Sequence, residues 1–176
     1  MWIRQVAVCA TLILAALAIQ QAFLSRIGVP GSTPDLLLVT VIAIALWYGS
    51  VIGAACGFAA GLLLDLSPAT AGVLGLTALI FLAIGFITGG IIDPRDRTVP
   101  VIMGIVALST GGAVLVFALV SALLGSDRIL WDEVPGLVLS ASLYGLLLAP
   151  PVVLLTGWLV RKVTPEAMVA GRGTGP

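Results

Sequence analysis

The stretch of sequence that decides the fold runs from Leu36 to Leu64 and reads LLLVTVIAIALWYGSVIGAACGFAAGLLL. It contains no charged residue, so a bilayer can accommodate all of it. As a single helix it would be about 44 Å long at 1.5 Å per residue, whereas the apolar core of a bilayer is about 30 Å thick. One tilted span therefore fits this stretch poorly.

The middle of the stretch contains Trp47-Tyr48-Gly49-Ser50. Trp and Tyr favour the headgroup interface, and Gly-Ser is typical of turns. A single span would place the aromatic pair near the centre of the membrane. We therefore divide the stretch into two short spans, residues 36–48 and 51–64, joined by a tight hairpin. One unbroken span, which would give five spans in the chain instead of six, is the alternative.

Charged residues mark the limits of the other apolar runs, because a charge at the bilayer centre costs roughly 2.5–3.5 kcal/mol or more. The sequence thus predicts an all-α integral membrane protein, a compact bundle of six transmembrane helices in one domain, residues 1–163. A disordered tail is expected at residues 164–176, which include three glycines and a terminal proline. The predicted spans are 5–24, 36–48, 51–64, 73–92, 99–124 and 134–160.

The composition agrees with membrane residence and excludes several classes of protein. Hydrophobic residues make up 60% of the chain and charged residues 9%, against about 25% charged residues in ordinary soluble domains. The net charge is zero and no basic run occurs, which argues against nucleic-acid binding. There is no histidine, so zinc sites of the usual kind and histidine catalysis are excluded. Cys9 and Cys56 lie in apolar runs and are interpreted as small buried hydrophobic residues.

The distribution of basic residues predicts the orientation. Six spans with the N-terminus in the cytoplasm put six basic residues inside and two, Arg26 and Arg128, outside. Five spans with the N-terminus outside give the same count, because Arg4 and Arg26 change places. Both arrangements put the C-terminus in the cytoplasm. The six inside residues of the six-span arrangement are Arg4, Arg95, Arg97, Arg161, Lys162 and Arg172.

Several polar residues and prolines are expected to begin or bend helices. In Ser32-Thr33-Pro34-Asp35, a hydroxyl N-cap, a proline in the first turn and an acid near the positive helix end together predict a helix start. Thr98-Val99-Pro100 and Asp132-Glu133-Val134-Pro135 follow the same pattern. Pro150-Pro151 should kink the last helix.

Glycine recurs at every fourth position in GSVIGAACGFAAG. On a helix, Gly49, Gly53, Gly57 and Gly61 would form a smooth stripe that another helix backbone can approach closely. The stripe is a packing face, and the partner helix is either in the same chain or in another protein. Gly85 and Gly89 form a smaller version in the next span. Asp65 follows the stripe at the outer interface, where an acid can be hydrated.

These residues resemble the MreD family of bacterial rod-shape-determining membrane proteins. The resemblance extends from about Gln20 to Leu79, and it departs from the family in the linker 66–73, where a more glycine-rich turn is expected. Its motifs are Gln20-Gln21, Pro34-Asp35-Leu36-Leu37-Leu38, Gly53-x-x-x-Gly57-Phe58-x-x-Gly61-Leu62-x-x-Asp65-Leu66 and Leu74-Gly75-x-x-Ala78-Leu79.

The resemblance implies a non-enzymatic subunit of the cell-elongation machinery in the bacterial inner membrane, without a cofactor or a metal. Its expected partners are the single-span protein MreC and, through it, MreB, the glycosyltransferase RodA and its transpeptidase partner. The family is also similar to the six-helix substrate-binding components of energy-coupling-factor vitamin transporters. A small-molecule-binding subunit of a transporter is therefore the alternative. Its cavity would draw on Thr77, Phe81, Ser140, Ser142 and Tyr144.

Overall fold

A computed structural model describes residues 2–22, 35–67, 74–91, 98–123 and 131–163, and these ranges are helical apart from short turns and caps. The division of the 36–64 stretch into two helices is confirmed. Pro34 and the tail expected at residues 164–176 lie outside the described residues. The six helices are α1 (Trp2–Ala22), α2 (Leu36–Tyr48), α3 (Ser50–Asp65), α4 (Leu76–Ile91), α5 (Val99–Leu123) and α6 (Val134–Val163).

The helices fall into two length classes. By length and composition, α1, α5 and α6 are able to cross a membrane. The other three are apolar but shorter, with 13 residues in α2 and 16 each in α3 and α4. At 1.5 Å per residue the shorter helices are about 20–24 Å long. The structure therefore shows three helices of membrane-spanning length among the described residues.

Gly49 is the single residue between α2 and α3 and forms the turn that joins them. Its φ is 88°, a left-handed conformation that glycine adopts without steric cost. Its N–H donates to the carbonyl of Ala45, 2.9 Å away, and its own carbonyl accepts from the N–H of Gly53 at 2.9 Å. Ala45 and Gly53, each four residues from the turn, also pack against each other. The two helices thus form a very tight antiparallel hairpin.

The core of the protein surrounds α2. Every residue from Leu37 to Leu46 is buried, and α2 contacts each of the other five helices. A helix that is hydrophobic on all sides is stable only when other elements enclose it. The absence of a polar face on α2 is therefore explained by its central position.

The helix starts largely follow the proline patterns. α5 begins at Val99 with Pro100 in its first turn, and α6 begins at Val134 with Pro135 in its first turn. At α2 the structure differs, because the helix begins at Leu36 and Asp35 is itself the N-cap. Its side chain accepts a hydrogen bond from the N–H of Leu38.

Contacts between helices define two ends of the bundle. Gln21 of α1 donates to Ser67 after α3 at 3.0 Å, and Gln20 of α1 accepts from the N–H of Leu37 at the start of α2, which is antiparallel to α3. These contacts show that α1 and α3 are parallel. We call the end with the α2–α3 turn the Gly49 end, and the opposite end, which includes Gln20, Asp35 and Asp65, the Asp65 end.

Candidate functional site

The glycine stripe of α3 lies directly against α4. A Cβ atom on Gly53 would be 2.6 Å from the carbonyl oxygen of Gly85, and one on Gly61 would be 2.5 Å from the Cα of Ala78. A Cβ on Gly57 would collide with the carbonyl of Phe81. A Cβ atom does not approach another non-bonded carbon or oxygen atom so closely. A side chain at any of these three positions would therefore force the two backbones apart.

The contact is reciprocal. A Cβ on Gly85 would collide with the carbonyl of Gly53, and one on Gly89 would be 2.6 Å from the N atom of Ser50. The contact positions descend along α4 as they ascend along α3, so the helices are antiparallel. The sequence left the partner of the stripe open, and in the structure that partner is α4 of the same chain. This surface is therefore occupied within the bundle.

Asp65 joins the far end of this helix pair. Its Oδ2 accepts hydrogen bonds from the N–H of Gly75 at 2.8 Å and from the N–H of Ala78 at 3.3 Å. An acid at the C-terminus of α3 is unfavourable for that helix's own dipole, but it stabilises the exposed N–H groups at the start of α4. The expected position of Asp65 at the outer interface stays a prediction, and the structure adds a capping role between helices.

Gln20 and Asp35 form a second cap, at the start of α2. The Oε1 of Gln20 accepts from the N–H of Leu37 at 2.8 Å, and Asp35 Oδ1 accepts from the N–H of Leu38 at 3.0 Å. The side chains of Gln20 and Asp35 also hydrogen bond to each other. Burial raises the pKa of the Asp35 carboxyl, and the hydrogen bonds from Leu38 and Gln20 only partly offset this effect. The cap ties α1 to the start of α2.

Three of the remaining candidate residues lie outside the close contact between α3 and α4. Phe58 and Leu79 point away from the α3–α4 contact, with 46% and 62% of their surface exposed. Gly49 provides the turn, and a Cβ there would meet no other atom within 4 Å. Gly75, like Gly49, has a positive φ, 91°. The structure thus brings together Gly53, Gly57, Gly61, Asp65, Gly75 and Ala78, and separately Gln20 and Asp35.

Sequence reasoning missed a second close contact, between α5 and α6. A Cβ on Gly145 would be 2.5 Å from the Oγ1 of Thr110, and one on Gly111 would collide with the Oγ of Ser142. Thr110 itself donates to the carbonyl of Val106, 2.9 Å away on its own helix. Small residues at these positions were the available signal, but without the four-residue repeat of α3 they did not indicate which helices meet.

It also missed a cluster at the Gly49 end. The ring of Trp47 lies against Gly157, where a Cβ would be 2.7 Å from the ring atom Cζ2. The guanidinium carbon of Arg161 is 5.8 Å from the centre of the Trp47 ring. Trp47 and Arg161 are 114 positions apart in the chain, and no local pattern connects them.

The described residues offer little chemistry beyond packing and capping. Among them, no group of three or more His, Cys, Asp or Glu side chains converges to hold a metal ion. The described residues form an open groove of about 110 Å³ between α5 and α6, and its lining is entirely apolar. The lining residues are Val99, Ile102, Met103, Ala149, Pro150, Val153 and Leu154.

Comparisons with known proteins add no relative: no family model, curated protein or solved structure matches the chain.

The first prediction concerns the α3–α4 contact. Replacing Gly57 with Ala should destabilise the fold by roughly 1–3 kcal/mol, because the added methyl group collides with the backbone of α4. Thermal unfolding of the purified protein in detergent, followed by tryptophan fluorescence, measures the change.

Gly104→Ala is the matched control. Gly104 is also helical, but a Cβ there meets nothing within 4 Å. This variant should keep or raise the unfolding temperature, because Ala is favoured over Gly in a helix by about 0.5–1 kcal/mol. Equal unfolding temperatures for the two variants would contradict the role of Gly57.

The second prediction concerns the cap of α4. Asp65→Ala should lower the free energy of unfolding by about 1 kcal/mol, the usual contribution of a capping side chain. Asp132→Ala removes an exposed acid of the same charge and serves as the control in the same thermal assay. If both substitutions have the same effect, loss of charge rather than loss of the cap explains the result.

Proposed function

We propose that the chain is a non-enzymatic scaffold subunit of the bacterial cell-elongation complex, related to the MreD family, with MreC as its direct partner. MreB, RodA and the transpeptidase partner of RodA would associate through MreC. The supporting observation is the arrangement of the motif residues. The motif glycines of α3, together with Asp65, Gly75 and Ala78, form one continuous contact between α3 and α4, and Gln20 and Asp35 form a cap at the start of α2.

This arrangement favours a scaffold because the motif residues stabilise a rigid body and form no reaction centre. Any partner would have to bind the outer surface of the bundle, since the glycine stripe is occupied by α4. Apolar side chains on the outer faces of α5 and α6, such as Leu108 and Leu143, are available to lipid or to a partner helix. Short loops would then position the partner helices.

The alternative, a small-molecule-binding subunit, gains no specific support from the described residues. A transporter subunit should present polar groups in a cavity near the middle of the membrane. Phe81, one of the candidate cavity residues, is buried in the core, and Ser140 hydrogen bonds to the carbonyl of Leu137 on its own helix. The groove between α5 and α6 has no polar lining. We therefore favour the scaffold.

For the topology, we propose six spans with both termini in the cytoplasm of a bacterial cell, and with the Gly49 end on the cytoplasmic side. The proximity of Trp47 to Arg161 supports this arrangement, because it groups the α2–α3 turn with a pair of basic residues at the end of α6. Basic residues are enriched on the cytoplasmic side of membrane proteins. The short helices would cross a locally thin membrane or be shielded by the longer ones.

The third prediction tests this topology with a membrane-impermeant thiol reagent. In a variant with Cys9→Ala and Cys56→Ala, a cysteine at position 51 should react only from the cytoplasmic side. Val51 is a better position than Ser50, because Val51 is 75% exposed whereas Ser50 lies against Gly89. Labelling of intact cells and of inverted vesicles distinguishes the two sides.

Leu66→Cys provides the matched control at the Asp65 end, since Leu66 is 65% exposed. It should react only from the outside. If position 51 lies within the membrane instead, Val51→Cys should fail to react from either side while Leu66→Cys is labelled normally, and that result would contradict the six-span topology.

The fourth prediction tests the function. Co-expressed with MreC from the same genome and solubilised in mild detergent, the tagged chain should retain MreC through affinity purification and gel filtration. An unrelated single-span protein of similar length, expressed in the same way, should not be retained. If MreC is lost as readily as this control, the scaffold proposal is contradicted, and a small molecule retained by the purified chain would favour the transporter alternative.

A further inference from the structure

Arg161 is held at the Gly49 end by two contacts. Its Nε donates to the carbonyl of Gly157 at 3.1 Å, and its guanidinium carbon is 5.8 Å from the centre of the Trp47 ring. The side chain as a whole is exposed. Because the guanidinium has five N–H donors and this hydrogen bond uses one, its outer edge is able to bind an anion.

Gly157 allows this geometry. A Cβ there would be 2.7 Å from Cζ2 of Trp47, so the absence of a side chain allows the indole ring to lie against α6. The same residue supplies the carbonyl that orients Arg161. The position of the guanidinium is therefore fixed by α2 and α6 together.

Lys162, the residue after Arg161, also lies over a tryptophan ring. Its Nζ is 4.4 Å from the centre of the Trp158 ring, a distance typical of cation–π contacts. Trp158 is about half exposed. Two adjacent cations at the end of α6 thus each lie over a tryptophan ring: Arg161 over Trp47 of α2, and Lys162 over Trp158 of α6.

The described part of the structure leaves these cations without acidic neighbours. Neither Arg161 nor Lys162 forms an ion pair with a described acid, and Asp35 and Asp65 lie at the opposite end of the bundle. The other two described acids, Asp132 and Glu133, lie just before the first residue of α6. They are about 44 Å along the helix axis from Lys162. The positive charge at the Gly49 end is therefore uncompensated by the described acids.

We propose that Trp47, Trp158, Arg161 and Lys162 form a binding site for the phosphate headgroup of an anionic phospholipid. Tryptophans favour the headgroup level of a bilayer, and the planar guanidinium matches the geometry of a phosphate. Leu154 and Leu155, both exposed about one turn before Trp158, provide apolar surface for the acyl chains. The site is independent of the scaffold role and requires only that the chain resides in a membrane.

The test begins with the wild-type full chain in detergent, titrated with phosphatidylglycerol or phosphatidylcholine and analysed by native mass spectrometry. Phosphatidylglycerol should bind more tightly, and raised salt should reduce the difference. Equal affinities for the two lipids would overturn the proposal, and this comparison needs no variant to fold. Inorganic phosphate at the same concentration should not displace the lipid. If it does, a site for free phosphate replaces the proposed lipid site.

Variants then locate the site. Arg161→Gln should weaken phosphatidylglycerol binding about fivefold, the factor that corresponds to the loss of one basic residue near an anionic surface. Lys162→Gln should have a similar effect. Arg161→Lys keeps the charge but loses the planar geometry, and it should fall between the wild type and Arg161→Gln.

Arg4→Gln is the matched control. Arg4 is exposed and lies at the same end of the bundle, but it has no described contact with a tryptophan ring. Its replacement removes the same charge and should weaken binding less than Arg161→Gln. If Arg4→Gln and Arg161→Gln weaken binding equally, diffuse positive charge accounts for the effect and the assigned site is wrong.

Discussion

The structure depends above all on the direct contact between the backbones of α3 and α4. In a bilayer, apolar side chains gain little by leaving lipid for protein, so helices associate through close packing and hydrogen bonds. Gly53, Gly57 and Gly61 allow α4 to approach so closely that no Cβ would fit between the two helices. Because α2 is joined to α3 by a single residue, Gly49, the position of the α3–α4 pair also fixes the central helix.

The polar residues at the Asp65 end cap the starts of the short helices α2 and α4. In the proposed six-span arrangement, helices of about 20–24 Å end within or close to an apolar layer of about 30 Å. Within such a layer an unsatisfied N–H costs several kcal/mol. Gln20 and Asp35 bind N–H groups at the start of α2, and Asp65 binds those at the start of α4. The capping side chains thus satisfy backbone N–H groups at the point where the short helices begin.

Much of the fold follows from local sequence, but the tertiary contacts do not. Trp47-Tyr48-Gly49 correctly predicted the break between α2 and α3, because interface and turn preferences are properties of the residues themselves. The spacing of Gly53, Gly57 and Gly61 predicted a packing face, yet periodicity defines only the face of one helix and not its partner. The cap formed by Asp65 crosses ten residues to Gly75, and the Trp47–Gly157 contact joins distant helices. Both depend on how the helices assemble.

The two ends of the bundle use charge in opposite ways. At the Asp65 end, the carboxyl groups of Asp35 and Asp65 accept hydrogen bonds from backbone N–H groups and so act within the fold. At the Gly49 end, Arg161 and Lys162 lie over tryptophan rings and remain exposed. Acidic residues have little influence on membrane orientation, whereas basic residues near span ends have a strong one. The basic side chains exposed at the Gly49 end are therefore of the kind that orients a membrane protein. Arg161 and Lys162 would thus stabilise the fold locally and determine on which side of the membrane the Gly49 end lies.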